Sequence, residues 1–137
     1  MSKNLNDLKI YNQAMEIGEK VWQDVTGWNY LEKDTVGKQL IRAVDSIAAN
    51  LSEGYGRYHF KEEKNFAYYS RGSLYETKTW LTKAKNRNLI SEQRFSEYSA
   101  SLTILVKMLN NYIKTIGPKP DSKEINEPIE PYGLNDI

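Results

Sequence analysis

Apolar side chains recur along this chain at alternating steps of three and four residues, a spacing that predicts four long amphipathic helices. The last is the clearest: Phe95, Tyr98, Leu102, Leu105, Leu109, Tyr112 and Ile116 keep the rhythm throughout. Ser91 is its expected N-cap, with Ile90 and Phe95 spaced as a hydrophobic staple. In the first helix Tyr11, Ala14, Met15, Gly18, Trp22 and Val25 form one stripe, which Ile10, Ile17 and Val21 widen to about half the circumference. Gly27 ends it, a loop is expected from Thr26 to Lys33, and Asp34 or Thr35 is the expected next N-cap. The second helix carries Leu40, Val44, Ile47 and Leu51 and is expected to stop at Gly54, with Gly56 close behind. The third spans about Phe60 to Arg87, with Phe66, Ser73, Thr77, Trp80 and Ala84 on one line and Leu74 and Leu81 beside it. Long helices joined by short loops favour an all-α, antiparallel up-down four-helix bundle over residues 1–116.

All four prolines lie beyond Gly117, so the helical part contains none. Residues 117–137 form an acidic, Pro-containing tail with too few large apolar side chains for a core, and it is expected to be extended or disordered. That tail holds two basic and five acidic residues, which leaves seventeen Lys/Arg against thirteen Asp/Glu in the body. The mild basic excess does not by itself announce a nucleic-acid partner. The chain shows neither a signal-peptide-like start nor a stretch able to span a bilayer, so a cytoplasmic protein without membrane association is expected.

Several chemistries are excluded by count. There is no cysteine, hence no disulfide, thiolate metal site or Cys nucleophile. A di-iron site in a bundle needs a Glu-x-x-His pair from each of two helices, and His59 is the one histidine. No serine lies in a G-x-S-x-G context, and Gly54-Tyr55-Gly56 follows a helix and lacks the remainder of a phosphate loop. The adjacent Glu62 and Glu63 suit the positive end of the third helix. No catalytic residue, metal or cofactor is therefore assigned.

Two patterns rise above this background. On the second helix Gln39, Ser46, Asn50 and Glu53 form a polar line beside the apolar one; on the third, Gly72 and Glu76, flanked by Arg71 and Ser73, offer a counterpart for a hydrogen-bonded network. The other pattern is a row on the third helix: Lys61, Lys64, Tyr68, Arg71, Tyr75, Lys78, Thr82 and Lys85. It would run about 36 Å along an outward, solvated face, extended by Arg57 and Tyr58. Cations that neutralise phosphates among rings that stack on bases suit RNA or single-stranded DNA.

Ser46-Ile47-Ala48-Ala49-Asn50-Leu51-Ser52-Glu53-Gly54-Tyr55-Gly56-Arg57, then Phe66 and Arg71-Gly72-Ser73-Leu74-Tyr75-Glu76, resemble the four helix bundle protein family, also called the 23S rRNA intervening-sequence proteins. The accessory variability determinant of diversity-generating retroelements is related to that family. The opening Asp7-Leu8-Lys9-Ile10-Tyr11 and Ala14 extend the likeness over residues 7 to about 116. The family commonly has Ser where this chain has His59 at the start of the third helix. The resemblance implies a ring-like homopentamer with a basic surface toward nucleic acid and, in the retroelement relative, a reverse transcriptase partner. It also marks Ser46, Asn50, Glu53, Gly54, Gly56, Gly72, Ser73 and Glu76 as a structural polar set. The leading expectation is a non-enzymatic, homo-oligomeric, nucleic-acid-associated bundle with phosphate contacts from Arg57, Lys61, Lys64, Arg71, Lys78 and Lys85 and stacking on Tyr68 and Tyr75. The alternative is a protein-interaction scaffold with no nucleic-acid binding of its own.

Overall fold

A computed structural model describes residues 4–117. The expectation for the acidic tail falls outside these residues. Four helices make the body: α1 (Lys9–Thr26), α2 (Lys38–Tyr55), α3 (Phe60–Asn86) and α4 (Glu92–Thr115), with no strand among the described residues. A 3-10 turn, Leu5–Asp7, leads into α1, with the Asn6 amide donating to the Asn4 side chain.

Successive helices run antiparallel. Gly18 and Val25 of α1 lie against Asp45 and Gly37 respectively. The Ser70 hydroxyl of α3 donates to the Ile47 carbonyl of α2 at 2.8 Å, while Gly54 near the end of α2 abuts Glu63 and Phe66 near the start of α3. Between α3 and α4, Glu63 meets Tyr112 and Lys78 meets Ser99. The α2–α3 interface is the most extensive, and α1 closes the bundle against α4.

The entry to α2 departs from expectation. The loop is only Gly27 to Asn29, because Asn29 caps a helical turn, Tyr30–Glu32, with a full capping box: its side chain accepts from the Glu32 amide at 2.9 Å while Glu32 accepts from the Asn29 amide at 3.1 Å. A π-helical segment, Lys33–Gly37, then joins α2 without a break. Asp34 and Thr35, the expected caps, lie inside this run. The Asn-x-x-Glu signal at 29–32 outweighs theirs since it satisfies two orphan amides at once.

The α2 terminus also shifts: the helix continues to Tyr55 and is capped at Gly56. Gly54 serves instead as a point of close approach. A Cβ there would fall 2.6 Å from the Phe66 Cβ and 3.1 Å from the Glu63 carbonyl, so only glycine lets the two backbones come this near. The α3 helix ends in a Schellman arrangement with Asn88 left-handed at φ 60°, the Leu89 amide donating to the Ala84 carbonyl and the Asn88 amide to that of Lys85. Ser91 caps α4 as expected, accepting from the Arg94 amide at 3.0 Å, and both Ile90 and Phe95 pack on the core.

The core is one cluster from all four helices, including Val21, Val44, Ile47, Leu51, Leu74, Leu81, Leu102, Leu105 and Leu109, each essentially without solvent contact. Burying one such leucine or valine contributes about 1.5–3 kcal/mol relative to leaving it in water. Not every expected stripe residue is inside. Trp22 is 54% exposed and Met15 45%, because the arc of α1 is wider than its two neighbours cover.

Candidate nucleic-acid interface

The buried line of α3 is Glu63, Ala67, Ser70, Leu74, Thr77, Leu81 and Ala84. Thr77, Ala84, Leu74 and Leu81 agree with the sequence pattern, whereas Phe66, Ser73 and Trp80 are only half-buried on the α2 side. Sequence reasoning passed over the polar members of this line, Glu63 and Ser70. Each is satisfied by a neighbouring helix: Ser70 by the Ile47 carbonyl, Glu63 by the Tyr112 hydroxyl at 2.5 Å.

This line fixes where the cationic row must lie, and it corrects the expectation of an outward face. Lys61 is exposed, but Lys64, Tyr68, Arg71, Tyr75, Lys78, Thr82 and Lys85 are half-buried along the flank that meets α4. Arg71 Nη1 donates to Asn110 Oδ1 at 2.9 Å and its guanidinium sits 4.9 Å from the Tyr68 ring centroid. Lys78 Nζ donates to Ser99 Oγ at 2.7 Å, and the Lys78 and Lys85 ammonium groups lie 4.7 and 4.5 Å from the Phe95 ring centroid. Tyr68 and Tyr75 pack on the core. Burial first, then the like charge of Lys85, holds the Lys78 amine below the ordinary lysine range. The physical reason is angular: at 100° per residue this row stands about a quarter turn from the buried line, where a four-helix bundle puts a neighbour. The outermost face of α3 is Lys61, Asn65, Tyr69, Gly72, Glu76 and Thr79.

The family-motif residues divide as well. Asn50 Nδ2 donates to Ser73 Oγ across the α2–α3 seam at 3.5 Å. Ser46 donates back to the Arg42 carbonyl of its own helix, and Glu53 pairs with Arg57 at 2.7 Å. Gly56 caps α2. Gly72 and Glu76 do not join a network between α2 and α3: both are exposed, and Glu76 accepts from the Trp80 indole one turn along at 3.2 Å. A Cβ at Gly72 would meet nothing within 4 Å. Arg71 reaches toward α4, so Asn50, Glu53, Arg71 and Glu76 do not converge.

Near the candidate row, a group of exposed aromatic and cationic side chains gathers at the α2–α3 turn. Tyr58 is 92% exposed and Phe60 52%, and they alternate with Arg57, His59 and Lys61. His59 is the α3 N-cap but forms no side-chain capping bond; its ring stands edge-on to Tyr58, centroids 5.1 Å apart. Arg57 is steadied by Glu53, by Glu62 at 3.4 Å and by the face of Phe66, 5.0 Å from the centroid. Lys64 stands one turn further along.

Sequence reasoning also missed a clamp between α1 and α4. Arg94 Nε and Nη2 donate to the two Asp24 oxygens at 2.8 and 3.2 Å, and the Tyr98 hydroxyl donates to Asp24 Oδ2 at 2.5 Å. Burial, followed by the bond to Asp24, drives the Tyr98 pKa well above the tyrosine range; burial, followed by the bond to Glu63, does the same to Tyr112. The detectable signal was the identity of the two residues, since a tyrosine in a core stripe still needs an acceptor. Among the described residues no group of acids and histidine could hold a metal ion, and no helix is long and apolar enough to cross a membrane.

Fold and surface together define a four-helix bundle with an aromatic and cationic corner at the α2–α3 turn. The chain belongs to the 23S rRNA-intervening sequence protein family, whose model matches residues 6–111. Among solved structures it is similar to a protein of unknown function from the S23 ribosomal protein family of Bacteroides thetaiotaomicron, with TM-score 0.70 and 20% identity over 77% of this chain and 96% of that one. At that identity the likeness supports the fold alone. No curated protein matches.

Proposed function

We propose that this protein is a non-enzymatic, cytoplasmic, nucleic-acid-associated bundle that meets RNA or single-stranded DNA with the α2–α3 corner rather than with the whole length of α3. The observation that carries the reading is the pairing of an almost fully exposed Tyr58 and a half-exposed Phe60 with Arg57, Lys61 and Lys64. An exposed ring gives a base a stacking surface while the cations neutralise adjacent phosphates. The family is named for an intervening sequence of 23S rRNA, which makes RNA the first ligand to test.

The test is retention of labelled single-stranded RNA and DNA by the full chain at varied salt. Three phosphate contacts give a slope of log affinity against log salt of about −2. Reversing Arg57, Lys61 and Lys64 to Glu abolishes retention with an unchanged helical spectrum, and Tyr58→Ala with Phe60→Ala weakens it at least about fivefold. Reversing Lys78 and Lys85 has the smaller effect, because both are engaged along α4. Absence of binding at low salt, or retention indifferent to the triple reversal, overturns the reading.

A second reading has its own support. Met15 and Trp22 on α1 and Ile104 on α4 (53% exposed) are large apolar side chains left in water, as self-association or a protein partner requires. Light scattering on the eluting protein gives its mass, and Trp22→Lys with Ile104→Lys dissociates an assembly built on these faces.

A further inference from the structure

The opposite end of α3 holds polar and aromatic groups that the α2–α3 corner does not use. Between the π-helical segment and the last turns of α3 lies an open cleft of about 400 Å³, lined chiefly by Asp34, Thr35, Gln39, Trp80, Lys83 and Arg87. The Trp80 indole is fixed as one wall: its body packs on the core and its N–H donates to Glu76. Lys83 holds its ammonium 5.8 Å from the Trp80 ring centroid. Asp34 pairs with Lys38 at 3.4 Å, leaving the cleft net positive. Among the described residues no side chain engages the Arg87 guanidinium or the half-buried Gln39 amide. Cations in the last turn of α3 complement the helix dipole, but that role needs neither an indole nor a free amide beside them.

We propose that this cleft binds a nucleotide, with its base on Trp80 and its phosphate between Lys83 and Arg87. Base stacking on an indole is stronger than an exposed cation–π contact, so an entering base displaces Lys83 from the ring. The freed ammonium then stands beside the guanidinium, and the two share the phosphate through charge-assisted hydrogen bonds. Gln39 supplies one donor group and one acceptor for a base edge, and Asp34 accepts from a sugar hydroxyl. The volume sits near the small end of ligand clefts, about 300–1,000 Å³, which is room for a single nucleotide. A π-helical segment lining it is in keeping with the frequent use of such turns at functional sites.

The same chemistry is presented by a free mononucleotide and by the 5′-phosphorylated end of a strand. The full chain is titrated with adenosine monophosphate, with a 5′-phosphorylated dinucleotide and with inorganic phosphate, while the indole N–H resonances of Trp22, Trp28 and Trp80 are followed and assigned through Trp80→Phe. The Trp80 resonance is expected to move saturably in the millimolar range or below with at least one nucleotide probe, and those of Trp22 and Trp28 to stay. Movement with the mononucleotide identifies a free ligand; movement with the dinucleotide alone identifies a strand end. Lys83→Glu with Arg87→Glu weakens the response about tenfold or more with the helical spectrum unchanged. A Trp80 resonance unmoved by both nucleotides, moved equally by phosphate, or indifferent to the double reversal overturns the proposal. Reversal of Arg57, Lys61 and Lys64 leaves this titration unchanged, so failure here and failure of strand retention are separate results.

Discussion

The two flanks of α3 solve the same packing problem by different means. Toward α2 the helices meet through small groups: Gly54 against Phe66 and Glu63, and Ser70 on the Ile47 carbonyl. Toward α4 the space is spanned by long side chains: Tyr112 to Glu63, Arg71 to Asn110, Lys78 to Ser99, and two lysines over Phe95. Added volume should therefore damage the first flank, and loss of a polar group the second.

The largest effect is expected at Gly54. Gly54→Val forces apart two backbones and costs about 3 kcal/mol, at the upper end of overpacking penalties, read as a fall in the urea midpoint. Next is Tyr112→Phe, which leaves the buried Glu63 carboxylate one donor fewer, at about 1–3 kcal/mol.

Two tyrosines of α4, Tyr112 on this flank and Tyr98 on the α1 side, make the bundle sensitive to alkali. Tyr98 and Tyr112 have folded pKa values raised above the ordinary 10.0, so their contribution is complete below pH 10 and drains away as pH rises toward the folded values. Between pH 10 and 11 the unfolded chain loses most of two protons that the native one keeps, and stability falls by up to about 2.7 kcal/mol per pH unit. Tyr98→Phe or Tyr112→Phe halves that slope in denaturant titrations between pH 10 and 11.

Smaller still is Ser70→Ala. It removes one hydroxyl from a carbonyl that stays inside α2, at about 1 kcal/mol. The smallest change is a gain. Gly72→Ala has open space and a helical backbone, so the melting temperature rises in keeping with about 0.5–1 kcal/mol of helix propensity. If that stabilised variant also loses assembly or strand retention, the glycine serves a close approach from outside the chain.

The helices were legible because Leu102, Leu105 and Leu109, like Val44, Ile47 and Leu51, sit at spacings with one physical solution. The cap at Ser91 was legible for the same reason: local chemistry decided it. The orientation of the cationic row was not. A polar row beside an apolar stripe reads as solvated from either side, and only the arrival of α4 at that side turns Lys78 and Arg71 into packing groups. Glu63 and Ser70 were missed since a polar residue in a core line is intelligible only through its partner, here on another helix. The network expected of Gly72 and Glu76 failed by angle, as both lie nearly opposite Leu74 and Leu81. Of the expected nucleic-acid residues, Arg57 and Lys61 are exposed and Lys64 is half-buried beside them, while the exposed Phe60 and the half-buried Trp80 carried no signal that set them apart from core aromatics.

The Asp24–Arg94–Tyr98 clamp has a kinetic corollary. The α1–α2, α2–α3 and α3–α4 contacts join neighbours along the chain, whereas Asp24 and Arg94 are 70 positions apart. Helical hairpins between neighbours assemble over short loops, and the ends of the chain must wait for them before α1 and α4 can seal the bundle. A late-forming contact is absent from the barrier to folding, so Asp24→Asn should hasten unfolding in stopped-flow traces while the refolding limb scarcely moves.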